Sequence, residues 1–154
     1  MEEKIIVRWE FLPLAHTLHR TTSIEWTATA SQMEKGLFLV RLIATMPFGH
    51  VLVSQCSDGG GDRLPTRLKF DSKPDQKLVG SCVEIGREMV PSEEAWVVLP
   101  GHRQKISYMQ KLELNEDKTR EISGSIRYQE ISEYRDFDPQ TILFNIPLKD
   151  KQLY

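Results

Sequence analysis

Hydrophobic and polar residues alternate along most of this chain with the period of two that β-strands show. Such runs occur at 5–11, 24–30, 37–46, 68–70, 78–85, 96–99, 106–114, 122–128 and 142–148. Between them lie turn-forming residues, and no run of ten residues keeps a helical period without a Gly or Pro interruption. The pattern therefore predicts an all-β sandwich.

Two of these runs carry extra information. The run at 37–46 is apolar on both faces, which predicts a central strand buried on both sides. The run at 78–85 contains Gly80, and an isolated glycine inside a strand indicates a bulge. The first run, at 5–11, predicts an additional N-terminal strand that could pair at a sheet edge or swap into a neighbouring molecule.

Length and charge exclude several classes of protein. The chain has 154 residues, which suits one domain spanning 1–154. Lys and Arg total 20 against 22 Asp and Glu, and this balance argues against a nucleic-acid partner. No apolar run reaches the roughly 20 residues that span a bilayer, so we expect a protein that is not embedded in a membrane. The charged N-terminus is not a signal peptide, which leaves a cytoplasmic protein or one whose export signal has been removed.

Two cysteines, Cys56 and Cys82, stand in neither a CxxC nor a metal-ligand spacing. They are either two separate thiols or a structural disulfide, which needs Cα atoms within about 7 Å. The four histidines have no Cys or carboxylate partner at metal spacing, so we predict no metal. The three glycines at 59–61 precede neither a helix start nor Lys-Ser/Thr, so they form a turn. We predict no cofactor.

The segment 47–70 points to a family. Its Gly49-His50 pair, its glycine turn and its Pro65-Thr66 pair resemble the N-terminal (alpha) domain of the thiol:disulfide interchange protein DsbD, in its Bacteroidetes form. Further fragments in matching order are Trp26, 35–37, 78–86, 106–114 and 124–128. The resemblance covers about 23–148. It implies an immunoglobulin-like β-sandwich with the strand at 5–11 outside the family core.

The resemblance also implies a loss. Counting forward from Tyr128 and back from Phe144 places Ile131 and Asp136 where the family has its two redox cysteines. Thiol–disulfide exchange needs a thiolate and a second sulfur, and neither Ile nor Asp supplies one. We therefore expect no catalytic residue at these positions. Whether the protein is an enzyme at all stays open.

Candidate binding residues surround this loop. They are Tyr128, Glu130, Tyr134, Phe137, Trp96, Glu94 and His50. Aromatic side chains beside carboxylates suit a protein-binding surface, although a solvated loop with one aromatic tucked beneath it fits equally well. Trp96 either shields a surface near Ile131, with Glu94 in the same cap loop, or starts a strand and packs inward. His50 is expected to brace the loop by hydrogen bonding.

Two functions follow from these observations. The first is a non-catalytic binding or accessory module of the cell envelope, periplasmic if an export signal was removed and otherwise cytoplasmic. Its partner would be a protein, with a thioredoxin-like protein as the candidate. The alternative is a thiol:disulfide interchange domain that transfers electrons through Cys56 or Cys82.

Overall fold

The computed structural model describes residues 6–10, 12–13, 24–57, 63–92, 95–115 and 117–148, with the backbone alone for 6–10 and 12–13. Within these ranges the regular structure is almost entirely β. The strands are β1 (Ile6–Glu10), β2 (Leu12–Pro13), β3 (Glu25–Glu34), β4 (Leu37–Thr45), β5 (Val51–Val53), β6 (Arg67–Phe70), β7 (Gln76–Ile85), β8 (Glu88–Pro91), β9 (Trp96–Leu99), β10 (Lys105–Leu114), β11 (Glu121–Tyr128), β12 (Glu130–Ile131) and β13 (Gln140–Pro147), with a 3₁₀ turn at His102–Gln104. The predicted all-β class is confirmed.

The strands form antiparallel sheets in two layers. One layer is a five-stranded sheet in the order β1-β3-β4-β10-β7. The other holds two four-stranded sheets, β2-β13-β11-β6 and β12-β5-β9-β8. Only Gln129 separates β11 from β12, so this stretch of chain passes directly from one small sheet to the other. Buried side chains from both layers meet in a single core, which makes the fold a β-sandwich.

The core follows the alternation of the sequence. The largest fully buried side chains come from both layers and include Tyr108, Leu42, Ile106, Ile122, Ile126 and Ile146. Their neighbours along each strand point to the other face, as the pleat requires. Strand pairs on opposite layers therefore each contribute one apolar face, and burial of that shared surface holds the two layers together.

β4 lies at the centre of the larger sheet, as its apolar pattern predicts. Val40 and Leu42 face the core and are 0% exposed. The prediction that both faces are buried is wrong, because Leu39 and Ile43 are only half-buried and Arg41 between them is exposed. Among the described residues, no further layer covers this outer face of the sheet.

The bulge predicted at Gly80 is present in β7. Gly80 has a φ of 72°, and the pairing of β7 with β10 shifts register between Met109 and Lys111. The Gln110 side-chain amide donates hydrogen bonds to the carbonyls of Val79, at 3.2 Å, and of Gly80, at 3.1 Å. These carbonyls lose their ladder partners at the bulge, and the buried amide replaces them.

The N-terminal strand, expected at 5–11, comprises Ile6–Glu10 and pairs with β3 at the edge of the larger sheet. Ile5 and Phe11 lie outside the described residues. β2 then pairs with β13 in the opposite layer, where Pro13 faces Ile142. The chain thus contributes to both layers at its start.

Candidate functional site

The hairpin of residues 130–137, called here the 130–137 hairpin, contains Ile131 and Asp136, the two positions at which the resemblance would place cysteines. Ile131 and Asp136 face each other as an antiparallel bridge. The flanking hydrogen bonds run from the Phe137 N–H to the Glu130 carbonyl, at 3.0 Å, and from the Ser132 N–H to the Arg135 carbonyl, at 2.9 Å. This pattern makes Ile131 and Asp136 a non-hydrogen-bonded pair, in which opposing side chains come closest.

An arginine holds the outer strand of this hairpin. The Arg63 guanidinium donates to both carboxylate oxygens of Asp136, from Nε at 2.9 Å and from Nη2 at 3.0 Å. Its Nη1 donates to the Ser92 hydroxyl at 2.6 Å. Because Ser92 directly follows β8, Arg63 ties the end of that strand to the hairpin. Such a two-pronged contact fixes geometry as well as charge.

A small apolar cluster, separate from the main core, lies on the face of the sheet that carries the Ile131 side chain. Ile131, Val53 and Val97 are buried there, and Val51 and Val90 pack against them. The register explains the grouping, since Ile131 pairs with Val51 and Val53 pairs with Val97. Ile131 thus completes the cluster.

Behind the hairpin lies a buried carboxylate with a histidine partner. Glu130 is 1% exposed, and its carboxylate contacts His50 Nδ1. The His50 ring meets the Phe137 ring edge-on, with 5.6 Å between centroids. The Arg135 guanidinium lies 4.5 Å over the same phenylalanine ring. His50 therefore supports the hairpin through its hydrogen bond with Glu130 and its contact with Phe137.

A buried amide completes this support. Gln129 accepts a hydrogen bond from the Leu64 N–H at 2.7 Å and donates one to the Phe137 carbonyl at 3.1 Å. It thereby joins the segment that begins at Arg63 to the far strand of the hairpin, whereas the turn expected at 59–61 lies outside the described residues. Side chains from three separate parts of the chain hold the 130–137 hairpin, so its backbone has few ways to move independently.

Several predicted binding residues do not reach the surface. Tyr128 is 1% exposed and packs in the core against Trp26, with ring centroids 5.2 Å apart. Glu130 and Phe137 are buried as well. These three side chains cannot contact a partner directly. By contrast Tyr134, at the tip, is 88% exposed, so the loop is a solvated turn with Phe137 tucked beneath it.

The structure corrects both readings of Trp96. It starts β9, as the second reading expects, but it is 43% exposed and so does not pack inward. It also does not shield Ile131, because side chains alternate along a strand and the neighbouring Val97 is the one on the Ile131 face. Glu94 lies outside the described residues.

The two cysteines are free thiols. Cys56 is exposed and Cys82 is half-buried. Burial, together with the negative charge of Glu84, raises the pKa of the Cys82 thiol to about 11. At neutral pH this thiol is protonated, which makes it a poor nucleophile for exchange. The two residues are linked indirectly, because the Gln55 side chain donates to the Cys82 carbonyl at 2.9 Å.

A polar cluster beside these thiols was not predicted. Glu84 accepts hydrogen bonds from the Ser54 hydroxyl, at 2.5 Å, and from the Gln55 N–H, at 3.0 Å. Burial, followed by the charge of Glu84, raises the pKa of the Tyr108 phenol well above its ordinary value. Ser54 is 0% exposed, so it has no access to a substrate. The cluster anchors β5 to β7.

Other residues of the site also escaped sequence analysis. Arg63 and Ser92 lie far apart in the chain, and no spacing pattern relates them to Asp136. Phe48 is 91% exposed in the turn before His50, where the Pro47 carbonyl accepts from the His50 N–H. Its place between a proline and a glycine, where a turn is expected, is the sequence signal that could have identified it. In the described part of the chain, no group of three metal-ligating side chains comes together.

Comparisons with known proteins bear on the fold. No helix of the described residues has the length and apolar character needed to cross a membrane. No protein-family model matches the chain, and no curated protein matches it either. Among solved structures, the GAE domain of yeast GGA1 is similar, with a TM-score of 0.50 and 8% identity, over 92% of this chain and 99% of that one. The similarity supports the predicted immunoglobulin-like β-sandwich.

Proposed function

We propose that this domain is a non-catalytic protein-binding module of the cell envelope, built on a scaffold resembling the DsbD N-terminal domain whose redox pair has been lost. The observation that carries the proposal is the pairing of Ile131 with Asp136. Counting from the resemblance selected these two positions independently of any coordinates. Their direct opposition in a non-hydrogen-bonded pair is the arrangement that a cross-strand disulfide would need.

The same position argues against exchange chemistry. Exchange requires a sulfur to be attacked and a second sulfur to resolve the mixed disulfide. Ile131 is enclosed in an apolar cluster, and the Asp136 carboxylate is held by Arg63. The pair therefore contributes packing and charge to the hairpin and has no electrons to transfer. A structural role has replaced the chemical one at this position.

The binding surface that we infer lies at the hairpin tip. Tyr134 is exposed there, and the turn bearing the exposed Phe48 is joined to the same hairpin through the His50–Glu130 hydrogen bond. Exposed aromatics on a supported backbone provide contact area at low entropic cost, which is typical of binding hot spots. The candidate partner is a thioredoxin-like protein, on the strength of the resemblance.

The test uses a thioredoxin-like protein whose resolving cysteine has been replaced, so that any mixed disulfide persists. We expect non-covalent binding that the double substitution Phe48→Ala and Tyr134→Ala weakens at least tenfold, with no covalent adduct. Leu143→Ala is the matched control, since Leu143 is 54% exposed on β13. Unchanged affinity of the double variant would remove the binding proposal.

The alternative is thiol:disulfide interchange through Cys56 or Cys82. The exposure of the Cys56 thiol favours it, and the raised pKa of the Cys82 thiol opposes it. Counting free thiols in the native protein before and after reductant separates the two functions. Two free thiols in both states agree with the binding module. A dithiol–disulfide couple with a defined potential, or a trapped adduct through Cys56, would establish the alternative.

A further inference from the structure

The outer face of the five-stranded sheet is apolar at its β7 edge. Val83 and Ile85 are 50% and 46% exposed. They lie opposite Met109 and Ser107 of β10, so their side chains share the face that points away from the core. Among the described residues β10 is the one strand paired with β7, and the other edge of β7 takes none. At this edge the Cys82 carbonyl accepts a hydrogen bond from the Gln55 side chain, which an added strand would have to displace, and the edge lies beside an apolar surface.

Basic side chains border this patch. Lys105 and Lys111 flank Ser107 and Met109 along β10 at the same period of two, and Arg41 lies opposite Met109 on β4. All three are exposed, and none has a carboxylate of the described residues within ion-pair distance. Along the strands, four successive rows of outward-facing side chains therefore follow the order cation, aliphatic, aliphatic, cation.

Carboxylates on this face lie beyond the patch. Glu25 is in the row of Lys105 but on β3, two strands away, and Glu113 follows Lys111 by two residues. Glu84, between Val83 and Ile85, points to the opposite face, where it accepts from Ser54. The edge of β7 is thus apolar with a basic border.

We propose that the open edge of β7 binds an extended, acidic segment of another protein as an added strand. The segment would carry two aliphatic or aromatic residues two positions apart, with an Asp or Glu two positions further on at each end. A strand added about 4.8 Å from β7 lies about 10 Å from β10, which the long side chains of Lys105 and Lys111 can span. Main-chain hydrogen bonds would supply affinity, and the alternate side chains specificity.

Charge selects this occupant over a second copy of the chain. Antiparallel pairing of β7 with itself would bring the lysines and Arg41 of one molecule towards those of the other. In that pairing the two β10 strands would lie three strand spacings apart, about 14 Å, and their cations would repel, whereas acidic residues on an added strand lie about 10 Å from Lys105 and Lys111 and attract them. The surface is separate from the 130–137 hairpin, so this inference does not depend on the proposed function.

The experiment measures fluorescence anisotropy with two labelled peptides. One has Asp, Val, Ile and Asp at alternate positions with Thr between them, and the other has Lys in place of each Asp. We expect the Asp peptide to bind at least tenfold more tightly than the Lys peptide. Lys105→Glu with Lys111→Glu should reverse this preference. Tyr134→Ala should leave it unchanged.

Substitutions in β7 test the location of binding. Val83→Lys should weaken binding of the Asp peptide at least tenfold, while Leu143→Lys, at an equally exposed aliphatic position of β13, should not. Val83→Thr keeps the β-branched shape that suits a strand. It should therefore weaken binding only through the lost apolar contact, with β7 still folded. Equal affinity for both peptides, absence of binding, or self-association that Val83→Lys abolishes would overturn the proposal.

Discussion

Replacing Ile131 and Asp136 together by cysteine should create a disulfide across the 130–137 hairpin. The two residues form a non-hydrogen-bonded antiparallel pair, for which Cα atoms lie about 4.5 Å apart. Natural disulfides span Cα separations of about 4.4–6.8 Å. No backbone movement should therefore be needed, and air or a mild oxidant should close the bond.

The magnitude follows from three contributions. Closing a loop of six residues reduces the entropy of the unfolded chain by an amount worth about 2 kcal/mol. Shortening the buried Ile131 side chain costs about 1–2 kcal/mol. Losing the Arg63–Asp136 ion pair costs at most about 1 kcal/mol, because the Asp136 carboxylate is 39% exposed. The reduced variant should be less stable than the native protein, and the oxidised variant close to it.

The informative measurement compares the two redox forms, since both carry the same substitutions. Thermal unfolding with and without dithiothreitol should differ by about 4–8 °C, the equivalent of about 2 kcal/mol. Thiol titration should find two free thiols in the oxidised form and four in the reduced form. The single variant Ile131→Cys is the control. Four free thiols after oxidation would refute the pairing and, with it, the placement of the family's cysteines.

Three further predictions concern other parts of the molecule. His50→Leu should lower the free energy of unfolding in urea by about 2 kcal/mol, because it removes a hydrogen-bond partner of the buried Glu130 carboxylate. Alkylation of the native protein at pH 8, read by mass spectrometry, should modify the exposed Cys56 and spare Cys82, whose reactivity should rise only as the pH approaches 11; equal labelling would contradict the assigned burial. Gly124→Ala should destabilise the fold by about 3 kcal/mol or more in thermal unfolding, since its Cβ would overlap a backbone oxygen of β6.

The fold was largely predictable because each strand carries its own periodic signal. The inward residues of β10, such as Ile106 and Tyr108, are buried where the alternation places them. Burial of the outer face of β4 was predicted wrongly. Apolar residues such as Leu39 predict burial on that face, but burial also requires another layer to cover it. Whether such a layer exists is a property of topology, which the period of two does not encode.

The site was predictable only in part. The resemblance singled out Ile131 and Asp136, but it did not indicate which side chains would hold them. Arg63 reaches Asp136 across 73 positions of sequence, and His50 reaches Glu130 across 80. Contacts over such separations depend on how the sheets are assembled. For the same reason Tyr128 was expected at the surface, although its ring packs against Trp26.

The bulge at Gly80 has a consequence for strand pairing at the edge of the sheet. A ten-residue apolar edge that ran straight would be a template for other chains to stack on, in the way that fibrils grow. Three residues of β7 face the single residue Gln110, so the edge twists and its straight portions are short. An uninterrupted stack of ten residues cannot form along it. The bulge that Gln110 fills therefore limits the length over which another strand could pair with β7.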